Sequence, residues 1–329
     1  MRICTLIPTY KKEFFISTLI ALGSQTLKPN KVIFSDDSLD SFLINDLNLK
    51  ESVSKLLPEA ELIYIRGPKI GALTNIKFLL SQADDQDDLI HILFDDDLIF
   101  PDFYLTHRAA HSQFNSIHCT VSFRWFISES NIPIGTLTIP ASVRYGERYQ
   151  SISLPALSQS TVPHIHNWLG ELSNATFRGL PSASRIFDVC DTAMPMCGLE
   201  DIGTFAKFAE EGSLLLIAEF LGGFRVSQFN NTANKGSDNF KAAVLGWIPL
   251  SLFALARNCI TLDQHWETVR KVLTVSKGLY TKTDPALIRE LEEYFLSRVT
   301  RDLAFLTFWH SYLETASDYQ KAYKLNLVR

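Results

Sequence analysis

Leu89-Ile90-His91-Ile92-Leu93-Phe94-Asp95-Asp96-Asp97 is the stretch on which the reading of the fold turns. A mainly apolar run of strand length leads directly into three adjacent carboxylates. Such carboxylates repel one another, and at the end of a buried strand two of them are poorly solvated. The arrangement is costly unless a cation is present. In extended backbone Asp95 and Asp97 project to one side and Asp96 points away. Two carboxylates on one side, with coordination positions left open, suit Mg2+ or Mn2+ that also holds substrate phosphates. Such an ion acts as a Lewis acid, neutralising charge that develops on a diphosphate leaving group. The competing reading is a solvated acidic turn. The position after a buried strand favours the metal.

Working outward, short apolar runs alternate with helical patterns. Ile3–Ile7 reads as a strand stopped by Pro8-Thr9-Tyr10, and the helical spacing of Phe14, Ile16, Leu19, Ile20 and Leu22 follows. Lys31-Val32-Ile33-Phe34 is a second strand, ending at Asp36-Asp37. After a polar helical stretch to Leu57 comes a third, Glu61–Ile65, closed by Gly67-Pro68. Leu73, Ile76, Leu79 and Leu80 then mark another helix before the run at Leu89. Strands without polar alternation, separated by helices, imply a mainly parallel sheet covered on both faces. Ligands of such α/β folds bind beyond the carboxyl ends of the strands. Pro8-Thr9, Asp36-Asp37 and Asp95–Asp97 all fall at such ends, so the three clusters are expected to form one site.

The order of these segments resembles glycosyltransferase family 2. Ile7-Pro8-Thr9-Tyr10, Ser24-Gln25-Thr26, Ile33-Phe34-Ser35-Asp36-Asp37-Ser38 and Phe94-Asp95-Asp96-Asp97-Leu98 follow one another as the family's motifs do. Gly170–Arg178 is similar to its acceptor-side strand, and Gly198-Leu199-Glu200-Asp201 to its ED motif, so the likeness covers residues 1 to about 230. It implies a GT-A fold, with residues 1–232 as catalytic domain and 233–329 as a C-terminal helical region. Pro8, Thr9 and Tyr10 would line the nucleotide pocket, and Asp37 or Asp36 would accept a nucleobase N–H. Asp97 would be the principal metal ligand, with Asp95 on ribose or metal; Asp95 and Asp96 also count among the donor-binding residues. Asp201 would be the catalytic base, Glu200 an acceptor contact. The chain departs from the pattern at Lys11, where Asn is common, and at Thr74-Asn75, where Arg-Asn is common. Lys69 is the candidate to replace that arginine beside Asn75 at the donor phosphates. Asp36 or Asp37 as a helix cap, and Glu200-Asp201 as helix-terminal charge complementarity, are the competing readings. The helix terminus is expected to hold Asp201 at low pKa.

Composition is that of a globular protein: 46% apolar and 20% charged over 329 residues. A net charge of −5 gives no sign of a nucleic-acid partner. The five cysteines, Cys4, Cys119, Cys190, Cys197 and Cys259, are scattered and odd in number, which fits a reducing compartment. The first apolar run is too short for a signal peptide, and Ala242–Ala256 is short of the ~20 residues of a membrane span. The expected location is cytoplasmic, with the inner face of a membrane as the one peripheral option.

Other features read as structural. His107 and His111, four residues apart, are expected to face solvent or cap a helix, and His164 and His166 to alternate in a short strand. Trp125 and Trp168 are read first as core, with sugar stacking as the alternative. Gly222-Gly223 reads as a turn after Leu214–Leu221. The polar stretch Phe229–Asp238 is the linker candidate. Beyond it Asp284-Pro285 starts a helix with Leu287, Ile288, Leu291, Tyr294, Phe295 and Val299 on one face. The aromatic-rich segment Leu303–Leu313 is expected to pack on the catalytic domain, or to form a homodimer, partner or peripheral membrane surface.

The function expected is inverting, metal-dependent transfer of a sugar from a UDP- or dTDP-type donor to a glycan, lipid-linked or protein hydroxyl. A sugar-phosphate nucleotidyltransferase is the enzymatic alternative. A degenerate glycan-binding or scaffold protein is the non-enzymatic one.

Overall fold

The computed structural model describes residues 1–143, 146–189, 194–227 and 235–324, the last seven by backbone alone. Ten strands among the described residues form one sheet. β1 (Ile3–Thr9), β2 (Lys31–Asp36), β3 (Glu61–Arg66) and β4 (Leu89–Ile92) are parallel, in the order β3-β2-β1-β4. Beyond β4 lies β9 (Ala175–Arg178), antiparallel to both β4 and β6 (Cys119–Ile127). β10 (Leu214–Arg225) is parallel to β6, and the short β5 (Leu98–Ile99) pairs antiparallel with its end. Two short antiparallel strands, β7 (Pro133–Gly135) and β8 (Tyr149–Ser151), hang on β6 and β10.

Both faces of the sheet are buried. On β1, Ile3 and Ile7 join one core with Phe15, Leu19 and Phe34, while Cys4 and Leu6 join the other with Ile33, Leu79 and Phe177. That division is the two-residue period of a strand with helices on either side, and it removes the polar alternation an exposed face would show. The covering helices are α1 (Lys12–Gly23), the pair α2 (Phe42–Asn45) and α3 (Leu47–Leu56), α4 (Ala72–Leu80), α5 (Phe103–Gln113), α6 (Leu154–Thr161), α7 (Gly179–Ser184) and α8 (Glu200–Glu210). On α1 the buried face is Phe14, Phe15, Thr18, Leu19 and Leu22; Ile16 and Ile20 are exposed.

Three expectations are corrected. Gly222-Gly223 is not a turn: both residues lie within β10, where Gly222 pairs with Ile99 and Gly223 with Leu98. A β-carbon on Gly222 would come within 3.3 Å of Leu98 O, so the glycine permits close approach of β5. His107 and His111 are fully buried and do not face solvent, although His111 lies in the last turn of α5. Hydroxyls in the sheet draw them in: Thr120 Oγ1 lies 2.7 Å from His107 Nδ1, and Thr176 Oγ1 lies 3.0 Å from His111 Nε2. Val162–His164 is a single 3-10 turn rather than part of a strand.

Four helices follow: α9 (Asp238–Ala256), α10 (Leu262–Tyr280), α11 (Pro285–Ser297) and α12 (Leu303–Lys324). α9 is long and apolar enough to cross a membrane by length and composition, yet 61% of that window is buried inside the protein. As expected, Asp284 caps α11, its Oδ1 accepting Leu287 N at 3.1 Å, with Pro285 at the first helical position. Leu287, Ile288, Leu291 and Tyr294 are buried; Val299 lies past the helix end and is half exposed. The linker candidate falls largely on residues 228–234, outside the described residues. Of the aromatics of α12, Phe305 and Phe308 pack on the Tyr294 ring of α11, each with ring centroids 5.4 Å apart. Phe308 and Tyr312 are fully buried, and Tyr312 OH donates to Pro195 O, just ahead of α8.

Candidate active site

The acidic triplet follows β4 in a turn closed by Asp97 N donating to Phe94 O. All three side chains are buried and all three are engaged. Asp95 Oδ2 accepts the backbone N–H groups of Tyr10 and Lys11, each at 2.5 Å, which ties the end of β1 to the end of β4. Asp96 is ion-paired with the Lys11 ammonium, so Asp95 and Asp96 both meet Lys11; the chain turns at the triplet, against the expectation of extended backbone. Asp97 Oδ1 accepts Arg225 N at 3.1 Å, and the Ser173 hydroxyl donates to the same carboxylate. From α1, the Thr18 hydroxyl lies 2.9 Å from both Asp95 O and Asp97 O.

A buried arginine completes this wiring. Arg225, at the end of β10 and fully buried, donates from Nε to Asp96 O at 2.7 Å. Its Nη1 reaches Ser128 O at 2.9 Å and its Nη2 reaches Asn131 Oδ1 at 2.6 Å. The triplet is thus held by the ends of β1, β6 and β10 together. Burial first, and the Asp96 charge second, push the Asp95 pKa up to about 7 and raise that of Asp97 well above the carboxylate range.

Beside it lie the other predicted donor residues. Thr9 is buried, and its hydroxyl donates to Ile7 O at 3.3 Å. Tyr10, next along, is 60% exposed at the strand end. Asp36 caps α2: its Oδ2 accepts Leu43 N at 2.8 Å and Ile44 N at 3.0 Å, while Oδ1 accepts the Ser38 hydroxyl. Asp37 accepts the backbone N–H groups of Lys69 and Gly71, gathering the loop after β3 to the end of β2. Burial raises its pKa despite those bonds. Lys69 has a left-handed backbone and donates Nζ to Leu39 O at 2.9 Å. Asn75 is buried, donating Nδ2 to Ser35 O at 3.3 Å, while its Oδ1 has no protein partner. Pro8 pairs with Ser35 within the sheet.

On the other side, Glu200 and Asp201 open α8. Glu200 Oε1 accepts Gly198 N at 2.8 Å and closes the turn into the helix. Asp201 Oδ1 accepts Ile202 N at 2.7 Å, and Oδ2 accepts Asn167 Nδ2 at 3.0 Å. The expectation of a low pKa here is overturned. Burial, and after it the Glu171 charge, raise Asp201 to about 7, outweighing the bond from Ile202.

Glu171 joins the two halves, because its charge also raises Asp97. It is ion-paired with the buried Arg124, whose Nη2 donates to Glu171 Oε1 at 2.8 Å. Gly170 allows that contact. Its φ is +115°, and a β-carbon there would fall 2.6 Å from Arg124 Nη1.

No three His, Cys, Asp or Glu side chains among the described residues converge as a metal cage. Asp95 and Asp97 nevertheless fit a hard divalent cation of the kind that binds one or two carboxylates and completes its shell with phosphates and water. Both are oxygen donors on one turn, and burial and the Asp96 charge raise the pKa of each, a cost that a bound cation would offset.

The sequence reading gave no role to Arg124, Asn167, Glu171 or Arg225. Glu171 stood in a quoted motif without assignment, and a lone arginine ending an apolar strand carries no spacing signal. Trp168 is 3% exposed and donates Nε1 to Ser160 Oγ at 3.0 Å, so it is core. Trp125 stacks on Phe220 with ring centroids 4.6 Å apart. A cavity of about 380 Å³ lies against Trp168, walled also by Glu147, Tyr149 and Gln150.

No known family model matches the sequence, and no curated protein matches it. Among solved structures the chain is similar to S. aureus TarS 1–349 in complex with UDP-GlcNAc, at 13% identity, 98% of this chain, 92% of that chain and a TM-score of 0.52. It is similar to S. aureus TarS as well, at 14% identity, with 98% and 55% covered and a TM-score of 0.51. The 1–349 form in complex with UDP gives 13% identity, 98% and 90% coverage, and a TM-score of 0.50. At such identities the likeness is one of fold. The chain has the mixed α/β fold of glycosyltransferase structures, a mostly parallel sheet flanked by helices and followed by C-terminal helices.

Proposed function

We propose that the chain is an inverting nucleotide-sugar glycosyltransferase that takes a UDP- or dTDP-sugar and uses Mn2+ or Mg2+ held by Asp97 and Asp95. What supports the proposal is that one charge, Glu171, acts on the titration of both Asp97, the proposed metal ligand, and Asp201, the proposed base. The likeness in fold to a protein solved with UDP-GlcNAc and with UDP supports a nucleotide-sugar donor.

The nucleobase would lie by the exposed Tyr10 ring and Asp37, with the diphosphate toward the triplet. When bound, the divalent ion supplies charge neutralisation for the departing diphosphate. Asp201, in its ionised form, takes the proton of an acceptor hydroxyl as that oxygen bonds to the anomeric carbon. The bond from the anomeric carbon to the diphosphate oxygen breaks, and its electron pair leaves with the nucleoside diphosphate. A pKa near 7 suits this role, since the base is both substantially ionised and a usable proton acceptor at neutral pH. The cavity against Trp168 offers room for an acceptor beside the same loop. A cytoplasmic location belongs to the proposal, and the buried free thiols of Cys4, Cys119, Cys197 and Cys259 fit it.

The nucleotidyltransferase reading is less well supported. Such enzymes cradle phosphates with backbone N–H groups after the first strand, and here Tyr10 N and Lys11 N are given to Asp95. The test is release of UDP from UDP-GlcNAc by wild type and Asp201→Asn with Mn2+. A drop of about 10²- to 10⁴-fold in the variant is expected; equal rates remove Asp201 as the base.

A further inference from the structure

We propose that Asn167 and Glu171 are positioning residues for Asp201, Asn167 holding its carboxylate by a direct hydrogen bond and Glu171 facing it with a like charge. The proposal rests on the assignment of Asp201 as base. The two residues bracket one short loop and bias the base in opposite directions.

The geometry of the loop makes Asn167 its fixed point. Asn167 Nδ2 donates to Gly170 O at 2.8 Å as well as to Asp201 Oδ2 at 3.0 Å, and its Oδ1 accepts Gly170 N at 3.1 Å. One amide therefore locks the turn and orients the carboxylate. The same turn, through the left-handed Gly170, sets Glu171 against Arg124. Arg124 Nη1 also reaches Trp168 O at 3.5 Å, so the guanidinium is seated on the loop it neutralises.

Among the described residues, the charged groups that act on Asp201 are Glu171 from this loop, Glu200 from its own helix and Arg124 from β6. A hydrogen bond donated to a carboxylate favours its ionised form, and a nearby negative charge disfavours it. Loss of the Asn167 donor therefore makes Asp201 harder to ionise. Loss of the Glu171 charge, which also leaves the Arg124 charge unpaired, makes it easier. Damage to the loop alone has no reason to move the two variants in opposite directions.

The experiment is the pH profile of kcat/KM for UDP release from UDP-GlcNAc, in wild type, Asn167→Ala and Glu171→Gln, with Asp201→Asn as reference. Asn167→Ser takes the place of Asn167→Ala should the latter fail to fold. The acidic limb is expected to move up by about one pH unit in the Asn167 variant and down by a similar amount in Glu171→Gln. If Asp201→Asn is impaired yet neither limb moves, or both move the same way, the proposal is overturned and the base assignment stands. If Asp201→Asn is as active as wild type, the base assignment falls and this proposal falls with it.

Discussion

The backbone N–H of Lys11 donates to Asp95 Oδ2 at 2.5 Å, joining residues 84 apart in sequence. The neighbouring Tyr10 N–H reaches the same oxygen. Asp95 is thus a strut between two strand ends as well as a member of the acidic triplet.

The two outer aspartates should therefore separate by phenotype. Asp95→Ala strands two half-buried N–H donors, each costing about 1–2 kcal/mol. Chemical denaturation without added metal should show a loss of about 2–4 kcal/mol. Asp97→Asn removes a carboxylate that burial already disfavours, so its stability under the same conditions should fall by less than about 1 kcal/mol. Equal losses would contradict the division of roles.

Arg225 should be intolerant of substitution. Its guanidinium serves Asp96 O, Ser128 O, Glu129 O and Asn131 Oδ1, and its removal takes a donor from four buried or half-buried acceptors, of which Ser128 O keeps Asn131 N. Arg225→Ala should cost about 3 kcal/mol or more and abolish nucleotide binding. Arg225→Lys should rescue little, because one ammonium lacks the planar fork that reaches all four. Thermal melts with and without UDP measure both effects, and a well-folded, UDP-binding Arg225→Ala would contradict this account.

Gly170→Ala should disturb the base side selectively. The added carbon would sit 2.5 Å from Asn174 Oδ1 and 2.6 Å from Arg124 Nη1, in a backbone with φ of +115°. A loss of about 2 kcal/mol or more in stability is expected, with turnover reduced beyond any change in UDP affinity. An unchanged kcat would show that the Arg124–Glu171 pair is dispensable.

Acid should weaken the helical region through His265. The ring is buried, with Nδ1 2.8 Å from Ser251 Oγ and Nε2 2.9 Å from Tyr294 OH, and burial holds its pKa down to about 4. The unfolded chain, near 6.5, takes up the proton first. Stability supplied by the neutral ring is therefore full above pH 6.5 and lost as pH falls toward 4. The stability gap between wild type and His265→Phe should narrow by up to about 3 kcal/mol between pH 7 and pH 4. A constant gap would contradict the buried neutral histidine.

What could be read from the sequence were the elements with a strong local period. β1 to β4 and the positions of Thr9, Asp37 and Asp95–Asp97 at their ends follow from short apolar runs bounded by polar residues. The start of α11 follows from Asp284-Pro285. What escaped depended on partners distant in sequence. His107 and His111 look like surface residues until Thr120 and Thr176 are folded against them. Gly222-Gly223 looks like a turn until β5 pairs with it. The raised pKa of Asp201 reflects burial and Glu171, neither of which a helix-terminus argument contains. Arg225 carries no motif, and its importance comes from four acceptors gathered from two segments distant in sequence.

The most direct test is calorimetric titration of UDP-GlcNAc into wild type and Asp97→Asn, each in Mn2+ and in EDTA. Wild type should bind at least about tenfold more tightly in Mn2+, a coupling of about 1.4 kcal/mol, and Asp97→Asn should lose that gain. Equal affinity in all four titrations, or no binding in any, would contradict a metal-assisted nucleotide-sugar site at Asp97.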